Sequence, residues 1–200
     1  MYSSVKRCFD LCAAVTLLCA GAPLLVFVVL LLITDRTGQG IFADAPERVG
    51  KDGRLFRMYK FRTMKPHTNR WRKEVEPKVT IRDPRVTKLG KVLRGTDLDE
   101  LPQLLHVIRG EMSLVGPRPY FEAELESIRS GVATGEEIVG KILSVRPGMT
   151  GLWQISGRND LDLKKRAKID AVYAERLNLF TDVHVLLGTP WAVITRKGAR

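Results

Sequence analysis

Residues 94–119 read RGTDLDELPQLLHVIRGEMSLVGPRP, and they contain an acid pair, an apolar helix pattern and a proline-rich turn in that order. The acid pair consists of the adjacent carboxylates Asp99 and Glu100. Leucine and isoleucine then recur over residues 101–108 at spacings of three, four and seven, which is the pattern of one helix face. The pattern stops before Gly110, and glycine readily takes the left-handed conformation that ends many helices. The stretch therefore predicts a helix with two acids at its start.

An arginine in a stiff turn follows this helix. Arg118 lies between two prolines in the segment Gly116–Pro119. Each proline fixes its own φ angle and restricts the residue before it, so Arg118 has few backbone conformations. An acid pair, a helix and a fixed guanidinium together predict a site that binds a phosphate group and a metal ion.

The same acids also suit a purely structural role. Thr96 or Asp97 can cap the helix, and the acid pair would then lie in its first turn. Negative charge there meets the positive end of the helix dipole, and Pro102 near the helix start fits this interpretation as well. Capping does not exclude catalysis, and the spacing alone does not choose between them.

The overall composition indicates one folded domain with anionic partners. The chain has 200 residues, which is enough for a single domain with a hydrophobic core. Its formal net charge is +11 and its isoelectric point is about 9.9. This balance favours nucleic acid, anionic lipid or phosphorylated small molecules as partners without distinguishing among them.

A long apolar segment near the N-terminus predicts a membrane anchor. Residues 11–34 have no charged side chain, and as a helix they would extend about 36 Å, more than a hydrocarbon core of about 30 Å. A signal peptide cleaved after the small residues 20–22 is the alternative. Because Pro23 and a second apolar half follow at once, we expect the segment to be retained.

Pro23 lies almost at the middle of this anchor, with Gly21 two residues before it. A proline in a helix interior removes one backbone hydrogen bond and kinks the helix. Two half-helices could then enter and leave the membrane by the same face, and a kinked helix that spans the membrane is the alternative. Basic residues flank both ends, so the positive-inside rule favours neither end for export. We expect a re-entrant helix-break-helix anchor over residues 1–36 and a cytoplasmic catalytic domain over residues 37–200.

The segment after the anchor is predicted to form a β-hairpin and a basic surface. A turn signal at residues 50–53 separates the hairpin strands expected within residues 41–49 and 55–64. Residues 54–73 contain eight basic side chains with aromatic residues between them and no acid. This mixture suits lipid headgroups and phosphate, nucleic acid, or a merely solvated face. Because it follows a membrane segment, we favour lipid and phosphate.

Residues 67–83 are expected to form a loop that closes as a lid.

The remaining chain is predicted to be mainly helical. Helices are expected at residues 88–94, 121–129 and within 161–179, with a glycine-rich connection at 131–140.

Two later segments suggest contacts with a ligand and with a membrane. Residues 146–158, RPGMTGLWQISGR, have glycines that let the backbone approach a ligand and an arginine at each end. The apolar segment 183–194, which includes Trp191 and precedes basic residues, suits a helix that lies in a membrane interface.

The chain resembles the bacterial sugar transferase family, the monotopic phosphoglycosyl transferases that begin glycan assembly on a polyprenol phosphate. The resemblance covers nearly the whole chain and rests on several motifs in the same order. These are YKFRTM at 59–64, DPR at 83–85, LDELPQ at 98–103, GEMSLVGPRP at 110–119, and RPGMTGLWQISGR at 146–158. It implies an α+β fold in which a re-entrant N-terminal membrane helix joins a small cytoplasmic domain of helices and a β-hairpin, with interfacial amphipathic helices.

The resemblance also implies a two-step reaction. The carboxylate at Asp99 attacks the β-phosphorus of a UDP-sugar, which gives an aspartyl-phosphosugar intermediate and releases UMP. A polyprenol phosphate such as undecaprenyl phosphate then takes the sugar phosphate, in the first membrane step of exopolysaccharide or other glycan synthesis. Mg²⁺ is the implied cofactor, held in part by Glu100. The anionic substrates need cations to offset their charge before a carboxylate can approach, so this chemistry agrees with the basic composition.

Several cationic and polar side chains are implied to bind the substrates. Arg118 matches the family's phosphate-binding arginine. The further substrate contacts implied by the resemblance are Lys60, Arg94, Arg146, Gln154 and Arg158. The implied partners are a UDP-sugar, the polyprenol phosphate and membrane lipid at the cytoplasmic face of the bacterial inner membrane. No nucleic-acid partner is expected, and a homo-oligomer is compatible with the sequence.

The sequence departs from the family pattern at three places. Asp97 stands where the family more often has a small hydroxyl residue, which adds a charge beside the acid pair. Ala22 replaces a serine before the anchor proline, and Pro46 replaces a glutamine before Glu47. Pro46 puts the local hairpin pairing in question, because a proline donates no ladder hydrogen bond.

A rival function of another class is a non-catalytic, membrane-anchored basic module that binds anionic lipid or nucleic acid. It explains the charge and the anchor but leaves the acid pair and Arg118 without a role. A multi-span polyprenol-phosphate transferase is disfavoured because the chain has one long apolar segment.

Overall fold

The computed structural model describes residues 2–35, 37, 40–43, 45–65, 83–157 and 161–195. The helices are α1 (Tyr2–Thr34), α2 (Lys88–Gly95), α3 (Leu104–Arg109), α4 (Glu122–Gly131), α5 (Gly135–Leu143), α6 (Leu152–Ile155), α7 (Leu163–Glu175) and α8 (Leu179–Ile194). The strands are β1 (Glu47–Val49), β2 (Leu55–Arg57), β3 (Ser113–Val115) and β4 (Gly148–Thr150), and 3₁₀ turns occupy Lys51–Gly53 and Leu98–Gln103. These elements agree with the expected α+β class.

Helix α1 is the one helix in the described ranges that is long and apolar enough to cross a membrane. It continues through Pro23 as a single helix, so the structure does not divide it into two halves. An interior proline removes one backbone hydrogen bond, which weakens a helix locally without necessarily ending it. The re-entrant topology therefore stays a prediction.

Both halves of α1 pack against the same domain. In the first half, Ala14 belongs to a core cluster that also contains Val107 of α3 and Leu114 of β3. In the second half, Val28 and Leu32 join a second cluster with Phe61 and Leu93. The residues of α1 that face this domain recur every three, four or seven positions, which is one stripe along a helix. This stripe consists of Ala14, Leu18, Leu25, Val28 and Leu32, with Ala13 and Val29 packed beside it.

The predicted hairpin is present and shorter than expected. Strands β1 and β2 are antiparallel, with Glu47 opposite Arg57. Their turn places Asp52 in the left-handed region at φ 57°. Pro46 precedes the first ladder pair, so its missing N–H costs the ladder no hydrogen bond. Beyond β2, the chain stays close to the preceding segment, because the Ala43 N–H donates to the carbonyl oxygen of Lys60 at 2.9 Å.

A parallel strand pair that the sequence did not predict carries the proline-rich turn. Strands β3 and β4 pair with Ser113 opposite Gly148. A Cβ atom on Gly148 would lie 2.1 Å from the backbone nitrogen of Gly116, so the two segments can approach only because glycine has no side chain. The turn that holds Arg118 is thereby fixed against the start of β4.

The prediction of a glycine-rich connection at residues 131–140 is wrong, because α5 begins at Gly135. A Cβ atom on Gly135 would lie 2.3 Å from the carbonyl oxygen of Ile128, so this glycine allows α5 to pack on the end of α4. The α5 side chains Val139 and Ile142 then pack with residues of α4 and α7 in one apolar cluster.

Helix α8 confirms that the C-terminal apolar segment is helical, although it begins at Leu179 rather than near residue 183. The Asn178 side chain caps it by accepting a hydrogen bond from the Thr181 N–H at 2.9 Å. Val185 is buried in the core, whereas an opposite stripe of large apolar side chains is exposed. This stripe consists of Phe180, Val183, Leu187 and Trp191, which are 84%, 42%, 76% and 71% exposed.

Candidate functional site

The acid pair lies on the 3₁₀ turn that leads into α3. Asp97 begins this turn in the left-handed conformation at φ 54°. Asp99 is only 7% exposed, and its carbonyl oxygen accepts a hydrogen bond from the Phe61 N–H at 3.0 Å. The backbone thus connects the acid pair directly to the segment that follows the hairpin.

The structure does not support a capping role for these acids. The Asp97 side chain makes no capping hydrogen bond. Thr96 Oγ1 instead donates to the carbonyl oxygens of Val92 and Leu93, so this side chain completes α2. Within the described residues, no group donates a hydrogen bond to the Asp99 carboxylate. A buried carboxylate without donors stabilises no fold element, and it is free to contact a ligand.

Lys60 provides the nearest positive charge. Its Nζ donates to Glu100 Oε1, and the two side chains are 28% and 32% exposed. The nearby Gln103 side chain also helps to lower the pKa of Glu100. The pair therefore lies at a solvent-accessible edge, while Asp99 lies behind it.

The two carboxyl groups differ in their pKa values for a physical reason. Burial raises the pKa of Asp99 to about 6, although the charges of Lys60 and Arg94 act in the opposite direction. Burial also opposes ionisation of Glu100, but the charge and hydrogen bond of Lys60 outweigh it, so the pKa of Glu100 is lowered. Neighbouring acids whose pKa values are pushed apart are typical of sites in which the two groups have different roles.

Arg94 contributes positive charge from α2. Its Nε donates to Thr63 Oγ1 at 2.8 Å. A Cβ atom on Gly90 would lie 2.1 Å from the carbonyl oxygen of Thr63, so α2 packs closely on this segment. This contact holds Arg94 close enough to lower the pKa of Asp99.

Arg118 reaches the same site from the turn after β3. Its backbone N–H donates to Asp170 Oδ2 at 3.1 Å, and its Nη2 lies 3.6 Å from Glu124 Oε1. The guanidinium also lies 5.8 Å from the centroid of the Trp153 ring. Its charge is among the effects that lower the pKa of Glu100.

The other predicted substrate contacts have hydrogen-bond partners outside the acid pair or lie outside the described residues. Arg146 Nε donates to the carbonyl oxygen of Gly110 at 2.8 Å, at the end of α3 farthest from the acid pair. Gln154 Nε2 donates to the carbonyl oxygen of Met149 at 3.2 Å. Arg158 and most of the predicted lid, residues 66–82, lie outside the described ranges. The structure therefore brings together Asp99, Glu100, Lys60, Arg94 and Arg118.

Asp170 is a site residue that the sequence did not reveal. It is fully buried on α7 and accepts a hydrogen bond from Tyr120 Oη at 2.8 Å as well as the bond from the Arg118 backbone. Burial raises the pKa of Asp170 to about 7, against the effect of these two hydrogen bonds. Its other oxygen, Oδ1, has no donor in the part of the chain that the structure describes. An isolated aspartate in a charged helix carries no pattern that could have identified it.

The donor set fits a metal that the substrate helps to bind. The described residues contain no group of three or more His, Cys, Asp or Glu side chains able to hold a metal ion. Asp99 and Glu100 supply two adjacent carboxylates, and Mg²⁺ typically binds one or two carboxylates together with substrate phosphates and water. The residues present therefore fit a magnesium ion that arrives with a diphosphate.

A buried carboxylate near two cations, in a domain packed against a long apolar helix, suits a protein that handles anionic substrates at a membrane. Comparison with known proteins agrees. The chain belongs to the bacterial sugar transferase family, whose model matches residues 1–196.

Three relatives illustrate the similarity. A UDP-galactose-lipid carrier transferase from Erwinia amylovora is 40% identical over 98% of this chain and 41% of the relative. An undecaprenyl-phosphate galactose phosphotransferase from Salmonella typhimurium is 37% identical with the same coverage. The exopolysaccharide production protein ExoY of Sinorhizobium fredii is 41% identical over 97% of this chain and 87% of the relative. The chain thus spans about two fifths of the first two relatives and most of the third.

Proposed function

We propose that this protein transfers a sugar 1-phosphate from a UDP-sugar to undecaprenyl phosphate and releases UMP. The reaction would take place at the cytoplasmic face of the bacterial inner membrane, as the first membrane step of exopolysaccharide synthesis. The single observation that carries this proposal is the Asp99 carboxylate, which is buried, lies near the charges of Lys60 and Arg94, and receives no hydrogen bond from the described residues. The family and the names of its relatives support the substrate class.

In the first step, an Asp99 carboxylate oxygen attacks the β-phosphorus of the UDP-sugar. A bond forms between this oxygen and the β-phosphorus, and the bond from the β-phosphorus to the bridging oxygen breaks. UMP leaves with that oxygen, and the sugar phosphate remains on Asp99 as an acyl phosphate. The attack needs an ionised carboxylate, which a pKa of about 6 supplies at neutral pH while keeping the oxygen basic.

In the second step, a phosphate oxygen of the polyprenol phosphate attacks the same phosphorus. The bond to the Asp99 oxygen breaks, and the carboxylate is regenerated. The product is a polyprenol diphosphate sugar. Both steps transfer the phosphoryl group between anions, so the protein must offset negative charge before the reacting atoms can meet.

Lys60, Arg94 and Arg118 supply that positive charge from three different elements. Arg118 offers a planar guanidinium that can bind two phosphate oxygens at once. Lys60 is held by Glu100, and burial would lower its pKa, but the charges of Glu100 and Asp99 keep the pKa of Lys60 above its ordinary value. Lys60 therefore stays protonated while a diphosphate approaches.

Glu100 and Asp99 would hold Mg²⁺ together with the diphosphate. When bound, the ion would neutralise phosphate charge and polarise the phosphorus–oxygen bond that breaks. Glu100 is the carboxylate suited to this role, because its lowered pKa keeps it ionised throughout the neutral range.

The packing of α1 supports a re-entrant anchor. Both of its halves contact the same domain. At its N-terminal end, Arg7 donates to the carbonyl oxygens of Val107 and Ile108, and Asp10 Oδ2 accepts from Ser113 Oγ at 2.7 Å. These polar contacts support a topology in which the N-terminal turns lie on the same side of the membrane as the catalytic domain. The exposed stripe of α8 would then lie at the membrane interface.

Labelling of Ser3→Cys in a variant without Cys8, Cys12 and Cys19 tests this topology. We expect an impermeant thiol reagent to label residue 3 only after the membrane is permeabilised. Labelling of intact spheroplasts would instead indicate a helix that spans the membrane.

The rival function, a basic membrane module without catalysis, is separated from the proposal by one assay. The purified protein in lipid nanodiscs is incubated with a panel of UDP-sugars, Mg²⁺ and undecaprenyl phosphate, and UMP is measured. We expect UMP release with at least one sugar, loss of release with EDTA, and none with Asp99→Asn. Binding to anionic lipid without UMP release from any sugar of the panel would favour the rival.

A further inference from the structure

His106 is a buried histidine on α3 whose two ring nitrogens are both in use. It is 1% exposed. Its Nε2 lies 2.9 Å from the backbone nitrogen of Tyr59, and its Nδ1 lies 2.6 Å from Glu111 Oε2. The ring also stacks on Tyr59, with centroids 4.5 Å apart, and meets Phe56 edge-on at 5.3 Å.

These contacts determine which nitrogen carries the proton. A backbone N–H can only donate, so Nε2 must accept the bond from Tyr59 and must be unprotonated. The proton of the neutral ring is then on Nδ1, where it donates to the Glu111 carboxylate. A doubly protonated ring would direct an N–H at the Tyr59 N–H. The contact therefore requires the neutral histidine.

His106 also determines the position of Glu111. The N–H groups of Glu111 and Met112 both donate to the carbonyl oxygen of His106, at 3.0 and 3.2 Å. The turn after α3 thus closes on His106 and returns the Glu111 carboxylate to its ring. His106 and Glu111 therefore form one hydrogen-bonded unit at the C-terminal end of α3.

This unit holds the residue next to Lys60. Three consecutive residues of that segment are tied to the helical stretch that begins with the acid pair. The Tyr59 N–H donates to His106, Lys60 Nζ donates to Glu100, and the Phe61 N–H donates to the Asp99 carbonyl oxygen. Arg109 adds a further contact from the same helix, since its Nη1 donates to Tyr59 Oη at 2.7 Å.

We propose that His106, oriented by Glu111, is a positioning residue that sets the place of Lys60 relative to the acid pair through the Tyr59 amide. Two of the three tie points, at Asp99 and Glu100, are in the site itself and must allow for substrate binding. His106 is the tie point outside the site, so it can hold Lys60 in place while the Lys60–Glu100 contact changes. The catalytic consequence rests on the proposed function, whereas the positioning of Lys60 does not.

The first test compares His106→Gln with His106→Leu. Glutamine can place an amide oxygen near the position of Nε2 and so accept from Tyr59, whereas leucine has a similar volume and no acceptor. The protein in nanodiscs is pulsed with acetic anhydride, and acetylation of Lys60 is measured by mass spectrometry against the exposed Lys91 as an internal control. We expect His106→Leu to increase the Lys60 rate, normalised to Lys91, by on the order of tenfold, and His106→Gln to stay close to wild type.

The same variants are assayed for UMP release. We expect turnover to fall on the order of tenfold in His106→Leu and to be largely retained in His106→Gln. Glu111→Ala leaves the ring without its acceptor, and we expect it to lie between the two. Rescue by glutamine separates positioning from a loss of packing, because both variants replace the aromatic ring.

The tautomer gives a readout on the wild-type protein that does not depend on activity. The chain has three histidines, so ¹⁵N-histidine labelling gives three ring systems, and the buried one is assigned by its absence in His106→Gln. We expect the neutral form with the proton on Nδ1. A proton on Nε2, or equal Lys60 acetylation in wild type and His106→Leu, overturns the proposal. If wild type releases no UMP but the acetylation difference is present, the proposed function fails and the positioning of Lys60 stands.

Discussion

Asp99 and Asp182 are both buried aspartates, and their surroundings differ completely. Asp182, on α8, is 3% exposed and receives hydrogen bonds from Tyr2 Oη, Lys6 Nζ and Tyr173 Oη, each at 2.6 Å. Asp99 is 7% exposed, and its carboxylate receives none from the described residues. The Asp182 carboxylate thus accepts hydrogen bonds from three side chains, whereas the Asp99 carboxylate lies near cations without a hydrogen bond to them.

The difference shows that burial alone does not indicate function. A buried carboxylate that accepts several bonds contributes to the fold, because its charge is compensated where it stands. A buried carboxylate without donors lowers stability, and it persists only where another property of the group matters. Asp170 lies between these cases, with one oxygen bonded and the other without a donor among the described residues. Its position behind the Arg118 turn is consistent with a supporting role.

The largest expected effect is that of Asp99→Asn. Asparagine keeps the size of the side chain but removes the nucleophilic oxygen, so we expect turnover to fall by at least about a thousandfold. Folding should be retained or improved, because a buried charge is removed. UMP release and thermal unfolding of the same nanodisc sample measure both quantities. A folded Asp99→Asn protein with wild-type turnover would move the nucleophile elsewhere.

Asp182→Asn should have the opposite profile. It removes the nearer charged partner of the buried Lys6 and leaves only Asp10, at 3.9 Å, so we expect the free energy of unfolding to fall by about 3 kcal/mol. Turnover per folded molecule should remain near wild type at low temperature. Thermal unfolding is measured in parallel with activity. The double variant Lys6→Met/Asp182→Asn is the control, and it should recover part of the loss because the Lys6 charge is removed together with that of Asp182.

Glu100→Gln tests the second member of the acid pair. We expect turnover to fall about 10- to 100-fold at low Mg²⁺, with partial recovery as Mg²⁺ is raised. A titration of UMP release against Mg²⁺ concentration measures this shift. A loss that does not respond to Mg²⁺ would indicate that Glu100 acts mainly by holding Lys60.

The smallest expected effect is a dependence on pH with opposite signs for activity and stability. Because the pKa of Asp99 is about 6, turnover should fall roughly tenfold between about pH 7 and about pH 5 as the carboxylate is protonated. A folded pKa above the ordinary value of 3.8 means that Asp99 favours the fold most below that value. This contribution to stability is lost as the pH rises through 6.

The difference in melting temperature between wild type and Asp99→Asn isolates this contribution. We expect wild type to become less stable relative to the variant as the pH is raised from about 5 to about 8. A constant difference over that range would mean that Asp99 ionises at its ordinary pKa.

Local patterns predicted the local features of this protein well. The helical form of the apolar N-terminal segment, the hairpin turn and Gly110 at the end of α3 follow from neighbouring residues, and the structure confirms them. The sequence did not predict α5, because the glycines of residues 131–140 indicated a connection rather than a helix. The actual role of Gly135 is to allow close packing against Ile128, which depends on tertiary contact.

Long-range contacts were beyond any local pattern. The parallel pairing of β3 and β4 joins residues far apart in sequence, in strands of only three residues each. The His106 ring bonds a residue 47 positions earlier, although on sequence it is only a lone histidine in an apolar helix. The acid pair could be predicted as a site, but its separation from Arg146 could not, because that depends on which end of α3 receives the arginine.

The Lys6–Asp182 contact also has a consequence for how the protein is made. Its two residues are 176 positions apart, so the ribosome completes α1 long before it synthesises the partner of Lys6. During that interval, the basic first turns of α1 favour a hydrated position, because Lys6 has only Asp10 of the same helix as an ion-pair partner, at 3.9 Å. In the proposed re-entrant anchor, the apolar remainder of α1 would enter the bilayer at once. Translation order would then keep the N-terminal end of the helix on the side of the ribosome, and the later contact with Asp182 of α8 would hold that orientation.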